Sequence, residues 1–110
     1  IFSIETVGAL YKRSSNVIRK LNYRAKCYHK DGTLGLPEEA PFDGIIVTAG
    51  APEIPNSLKN QLKVGGKLVI PVGKSDSQTM MRVIRLSDSE FKSEDHGLFA
   101  FVPLKGKEGW

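Results

Sequence analysis

The sequence predicts an α/β fold of the doubly wound kind, with helices packed on a mixed sheet. Three observations predict it. In Phe42-Asp43-Gly44-Ile45-Ile46-Val47-Thr48-Ala49-Gly50-Ala51-Pro52, an acidic loop residue leads into an apolar, β-branched run that stops on small residues. Such a run fits a central parallel strand buried on both faces. A second run, Lys67-Leu68-Val69-Ile70-Pro71-Val72, has the same character. Between two early strand patterns lies a stretch with helical period, which gives the strand–helix–strand order of parallel sheets. The small residues after Val47 leave room for a ligand to approach the backbone, at the strand end where open α/β sheets keep their sites.

Taken in order, Ile1–Glu5 reads as a short strand ending in an acid. Val7, Leu10, Tyr11, Ser14, Val17, Ile18 and Leu21 follow three-and-four spacing, which predicts one buried stripe on a helix from about Thr6 to Leu21. Ala25–Lys30 is the next strand, stopped by Asp31-Gly32, and a loop rich in Gly and Pro runs from Gly32 to Pro41. The strand Gly44–Thr48 follows. Pro55-Asn56-Ser57 opens a short helix burying Leu58 and Leu62, with Gly65-Gly66 as its stop. Lys67–Val72 is a further buried strand. Thr79–Leu86, Glu90–Phe91 and Leu98–Val102 then read as antiparallel strands joined by the polar turns Ser87-Asp88-Ser89 and Glu94-Asp95-His96-Gly97.

The 110 residues bound the chain to one domain or part of one. No apolar run approaches the roughly 20 residues needed to cross a bilayer. The chain opens inside a strand pattern without an initiator methionine. The expectation is an upstream portion missing, including a central strand and its helix, which leaves Ile1–Glu5 with an open edge prone to self-association. The single Cys27 cannot form an internal disulfide and suits a reducing, cytoplasmic setting. Net charge is +4, but the cations Lys12, Arg13, Arg19, Lys20 and Arg24 lie on and just after one helix. A solvated helix exterior with cations near its C-terminal end explains them better than nucleic-acid binding, whose other signatures are absent.

Three strand ends carry candidate sites. Glu5 could accept hydrogen bonds from both hydroxyls of a nucleoside ribose, or simply place a favourable charge at a helix start. Asp31-Gly32-Thr33 could receive an exocyclic amine such as adenine's, or be an ordinary Asp-Gly turn. The pairing of two acids at successive strand ends favours an adenosine cradle. Thr48, Ala49, Gly50, Ala51 and Pro52 border the crevice where a second substrate would lie. His29 and His96 lack neighbours at metal-ligand spacing, and Cys27 reads as a small core residue. Neither a dinucleotide fingerprint nor a P-loop occurs.

These stretches resemble the C-terminal portion of the protein-L-isoaspartate (D-aspartate) O-methyltransferase family. The likeness is carried by Phe2-Ser3-Ile4-Glu5, by Asp31-Gly32-Thr33-Leu34-Gly35, and by Ile45 to Pro55 with its Thr48-Ala49-Gly50-Ala51-Pro52-Glu53-Ile54-Pro55 ending. Gly65-Gly66-Lys67-Leu68-Val69-Ile70-Pro71-Val72-Gly73, Phe101-Val102-Pro103-Leu104 and Gly106 to Trp110 complete it. The resemblance implies a Rossmann-like S-adenosylmethionine-dependent methyltransferase fold, with a mixed, mostly parallel sheet lacking here its N-terminal part and first strand. Residues 1–110 would be the C-terminal part of that single domain.

By the same resemblance, Glu5 matches the acid holding the cofactor ribose, and Asp31, Gly32 and Thr33 match the segment beside adenine. Thr48 to Pro52 and Phe101, Val102 and Pro103 match segments lining the isoaspartyl peptide site. The implied reaction is methyl transfer from S-adenosylmethionine to the α-carboxylate of L-isoaspartyl residues in damaged proteins. No metal, membrane or nucleic acid is implied, no residue here is given a catalytic role, and the complete enzyme would be monomeric. Family members also carry an upstream glycine-rich loop and a hydroxyl residue near the substrate carboxylate, neither within this stretch. Lys30 stands where a small residue is usual before Asp31, and Gly50 where Ala is usual, an exchange expected to be mild. Two other readings stay open: a related methyltransferase with another acceptor, and a non-catalytic fragment or interaction module.

Overall fold

A computed structural model describes residues 1–110 throughout, and the chain divides into two units, Ile1–Gly32 and Thr33–Trp110. In the first, β1 (Phe2–Glu5) pairs in parallel with β2 (Lys26–His29), with Glu5 opposite His29. The helix α1 (Gly8–Lys20) crosses between them. It begins two residues later than the periodicity predicts, because the Glu5 carboxylate accepts from the Val7 amide at 3.1 Å and holds the chain in a turn. Arg19 and Lys20 occupy its last turn, where the dipole favours cations.

The predicted buried stripe on α1 is only partly realised. Tyr11, Ser14 and Ile18 are half-buried, whereas Val7, Leu10, Val17 and Leu21 are exposed. A ladder of two four-residue strands is too narrow to cover an apolar stripe spanning a quarter or more of the helix circumference. His29 is the last residue of β2 rather than a mid-strand residue. Its ring stacks on Tyr11 with centroids 5.4 Å apart, and Nε2 donates to the Thr6 carbonyl at 3.0 Å. Thr6 in turn donates its hydroxyl to the Lys30 carbonyl, so both strand ends are tied together.

The second unit holds one four-stranded sheet in the order β3 (Phe42–Ile46), β4 (Leu62–Lys74), β5 (Ser77–Arg85), β6 (Phe91–Phe99). The β3–β4 ladder is parallel and the other two are antiparallel. The helix α2 (Asn56–Asn60) joins the parallel pair. The core is one face of this sheet: Leu68, Ile70 and Val83 are fully buried with Ala51, Leu58 and Leu62, and Ile45, Val47 and Leu104 pack against them. Leu68 lies between Ile45 and Val83 in register, so alternate residues of three strands share that face.

Three expectations are corrected here. Within these residues the run Ile45–Val47 is not buried on both faces: β3 lies at the margin of its sheet and Ile46 is 78% exposed. The short helix stops at Asn60, not at Gly65-Gly66. The Gln61 carbonyl is taken by the Phe42 amide at 2.7 Å and its side chain bonds Leu34 and Leu36, so Leu62 leaves the helix and opens β4. Gly66 is buried within that strand, where a Cβ would stand 2.8 Å from the Lys63 carbonyl and 2.9 Å from that of Phe42. Finally, Glu94–Gly97 is not a turn but part of the continuous strand β6. Its turn chemistry is present, with the Asp95 carboxylate accepting from the Gly97 amide at 2.8 Å and Gly97 at φ 103°. The long β5 ladder absorbs it as a bulge between Thr79 and Met81.

Arg82 on β5 faces Glu94 on β6, with Nη2 and Nε 2.6 and 2.7 Å from the same carboxylate oxygen. That hydrogen bond holds the Glu94 carboxyl below its ordinary value of 4.5. A carboxyl depressed in the folded state stabilises the fold above its unfolded value, and the contribution disappears as pH falls through the lower folded value. The pair is part-exposed, so solvent screening keeps the effect small. On lowering the pH from about 5 to about 3, the wild-type melting temperature should fall further than that of Glu94→Gln. Parallel curves would show that the pair does not contribute.

Candidate functional site

Two strand rims carry the residues singled out in the sequence. In the first unit, β1 and β2 run parallel, so Glu5 and Asp31 follow the same ends of neighbouring strands. The Lys30 amide donates to the Glu5 carbonyl at 3.2 Å, which fixes the segment entering Asp31 against the end of β1. Both acids are half-buried. One Glu5 oxygen accepts from Val7, and a carboxylate with about four lone-pair sites retains acceptor capacity beyond that. Gly32 is half-buried, and a Cβ placed on it would meet only Ile4 Cγ2, at an ordinary 3.7 Å. Packing within the chain therefore does not demand glycine there. Lys30 is exposed.

Thr33 is the first residue of the second unit and is fully buried. Its hydroxyl accepts from the Glu108 amide at 3.1 Å, so it helps to fasten the final segment of the chain. Glu108 in turn accepts from the Ser57 amide at 3.1 Å and from its hydroxyl, holding the start of α2.

In that second unit the rim after β3 is built by hydrogen bonds. Val47 donates to Val69 and Ala51 to Pro71, both at 2.9 Å, so the chain stays beside β4 through Ala51. At Gly50 it meets Phe101–Pro103, about fifty positions on. The Gly50 amide donates to the Val102 carbonyl at 2.7 Å, the Leu104 amide to the Gly50 carbonyl at 2.8 Å, and Gly50 bridges Pro103 in parallel. The same carbonyl accepts from Trp110 Nε1 at 2.8 Å. The structure thus brings Thr48–Pro52 and Phe101–Pro103 side by side. Gly50 and Ala51 are buried, Thr48, Pro52 and Pro103 are exposed, and Val102 is 70% exposed. Beside Pro52 opens a groove of about 570 Å³ that runs past Ile54, Val72 and Lys107. A chain lying along this rim meets exposed apolar side chains and open space.

A Cβ at Gly50 would lie 2.6 Å from Gln78 Cδ and 2.8 Å from Cγ, so alanine there requires Gln78 to shift. Gln78, Gln61 and Arg85 were not singled out in the sequence. Polar residues within an apolar alternation mark buried amides only once the strand register is known. Arg85 donates to the carbonyls of Asn60, Leu62, Ser87 and Asp88, joining the end of α2 to the β5–β6 turn. No group of three His, Cys, Asp or Glu side chains that could hold a metal is present, and Cys27 is half-buried and unpaired with another cysteine. No helix is long and apolar enough to cross a membrane.

Two parallel strand ends bearing acids, and a second parallel rim extended by antiparallel strands, define an α/β protein of the Rossmann-like methyltransferase class. The chain belongs to the protein-L-isoaspartate (D-aspartate) O-methyltransferase family, whose model matches residues 1–109. It is 51% identical over 110 residues to the protein-L-isoaspartate O-methyltransferase of Pelodictyon phaeoclathratiforme, covering all of this chain and 50% of that relative. With the enzyme of the same name from Christiangramia forsetii it shares 54% over 105 residues, or 94% of this chain and 49% of that one. The chain therefore spans about half the length of the curated relatives it matches. Among solved structures, a protein-L-isoaspartate O-methyltransferase superposes with a TM-score of 0.87 at 25% identity, covering 98% of this chain and 35% of its own. A Plasmodium falciparum structure assigned to the same enzymes, in complex with S-adenosyl-L-homocysteine, gives 0.81 at 27% identity, covering 94% and 51%.

Proposed function

We propose that the protein containing this chain transfers a methyl group from S-adenosylmethionine to the free α-carboxylate of L-isoaspartyl residues in damaged proteins. The observation that carries the reading is the joined rim of Thr48–Pro52 and Phe101–Pro103, seen in a chain of this family. The bound cofactor supplies an electrophilic methyl carbon and departs as S-adenosylhomocysteine. Glu5 accepts from the ribose hydroxyls, and Asp31 accepts from the adenine amine. Gly32 spares the ring a side chain that the protein's own packing would have tolerated, and Thr33 shapes the same segment from its buried position.

The rim segments hold the peptide. Thr48, Ala49, Gly50, Ala51 and Pro52 offer backbone polar groups, and Phe101, Val102 and Pro103 an apolar margin. A carboxylate with an ordinary value near 3 to 4 is ionised at neutral pH, so the reaction needs alignment and desolvation rather than a general base. This agrees with the lack of any base constellation on the rim. The resulting ester closes to a succinimide whose hydrolysis returns some normal aspartate, which is repair. A monomeric, cytoplasmic enzyme acting on isoaspartyl proteins and peptides fits this chemistry.

The test is methyl incorporation from labelled cofactor by the full-length protein into matched peptides. Incorporation is expected with an isoaspartyl residue and not with aspartate, and equal labelling of both would overturn the reading. The 110-residue chain alone is expected to give very weak or no transfer, because it holds only part of the family's site. Measurable turnover by it would refute that.

A further inference from the structure

Gln78 is a buried amide that the proposed chemistry does not use. It is 1% exposed and stands near the start of β5, opposite Gly73 of β4. Nε2 donates to the Lys74 carbonyl at 2.7 Å, inside the β4–β5 hairpin, and Oε1 accepts from the Phe101 amide at 2.7 Å. Burying an amide is costly unless both its ends are bonded, so the side chain is held rigidly between hairpin and rim. Its aliphatic part lies against Gly50, at distances a methyl group could not share. One side chain thus touches both rim segments at the residues where they meet.

We propose that Gln78 is a positioning residue for the peptide site, fixing the separation of Thr48–Pro52 from Phe101–Pro103. The proposal rests on the reading of those segments as the peptide rim. Without the Gln78 acceptor the Phe101 amide must turn toward water. That rotation frees the backbone leading into Val102, whose carbonyl accepts from the Gly50 amide. The polar contacts of Gln78 lie wholly within the rim and the hairpin. Its loss therefore weakens peptide binding without weakening cofactor binding.

The variant to make in the full-length enzyme is Gln78→Met, which keeps the length and removes both hydrogen bonds. KM for an isoaspartyl peptide should rise about tenfold, with kcat within about threefold and S-adenosylhomocysteine affinity unchanged. Amide exchange at Phe101 and Gly50 should accelerate at least about tenfold while Ile70 and Val83 stay protected. Gly50→Ala reaches the same contact from the other side, and supplies the same readouts should Gln78→Met fail to fold. Combined with Gln78→Ala, which removes the atoms the methyl meets, its effect on KM should be smaller than the product of the two single effects. Unchanged exchange at Phe101, or KM and cofactor affinity shifting by equal factors, overturns the proposal. A wild-type enzyme that ignores isoaspartyl peptides would instead sink the methyl-transfer reading, and the exchange measurement would then decide the role of Gln78 alone.

Discussion

Replacing Glu5 by alanine in the full-length protein is expected to weaken S-adenosylmethionine binding about a hundredfold. On the proposed function its carboxylate accepts two ribose hydroxyls, and hydrogen bonds to a charged group contribute roughly 1.5–3 kcal/mol each. Losing about 3 kcal/mol corresponds to a factor somewhat above one hundred in Kd. The Val7 amide also loses its acceptor, which costs the fold about 1 kcal/mol. Glu5→Gln separates the two effects. It retains an oxygen for Val7 but turns one ribose acceptor into a donor, so affinity should fall about tenfold with little change in stability. Titration calorimetry on both variants, beside thermal melts, checks this. Cofactor affinity unaltered in Glu5→Ala would remove Glu5 from the site.

The largest effect on stability is expected at Leu68. It is fully buried in the middle of β4, with Ile45 and Val83 beside it on the two neighbouring strands. Leu68→Ala removes three carbons from a face that a rigid sheet cannot close over, at an expected cost of about 3–4 kcal/mol. Against a total of roughly 5–15 kcal/mol for an ordinary domain, that is a large fraction. Urea unfolding should show a lower midpoint with an unchanged slope. Val69→Ala, on the opposite and half-buried face, serves as the control and should cost about 1 kcal/mol. A loss below about 1 kcal/mol at Leu68 would mean that the core lies elsewhere.

The strands and helices were legible wherever one local rule governed them. Short strand patterns marked β1 and β2, a continuous apolar run marked the middle of β4, and the three-and-four stripe marked α1. The errors came where a distant partner decided the outcome. Gly65-Gly66 reads as a helix stop, yet the helix had already ended because Phe42 claims the Gln61 carbonyl. Glu94–Gly97 reads as a turn, yet a nine-residue partner strand carries it through as a bulge. The rim residues Thr48–Pro52 announced themselves by their small size after a β-branched run. Their apposition to Phe101–Pro103 followed only from the family resemblance, since no local pattern links residues fifty positions apart. Gln78 could not have been found at all without the register that turns it inward.

The two margins of the four-stranded sheet are chemically unlike. The β6 margin bears Lys92, Glu94, Asp95 and His96 and is distorted near Gly97. The β3 margin carries the exposed Asp43, paired with Lys63 at 3.3 Å, beside Gly44 and Ile46. Charges and bulges repel a neighbouring strand, while a plain apolar edge recruits one. Each flank thus carries a deterrent of its own, a paired carboxylate on one and a bulge with mixed charge on the other.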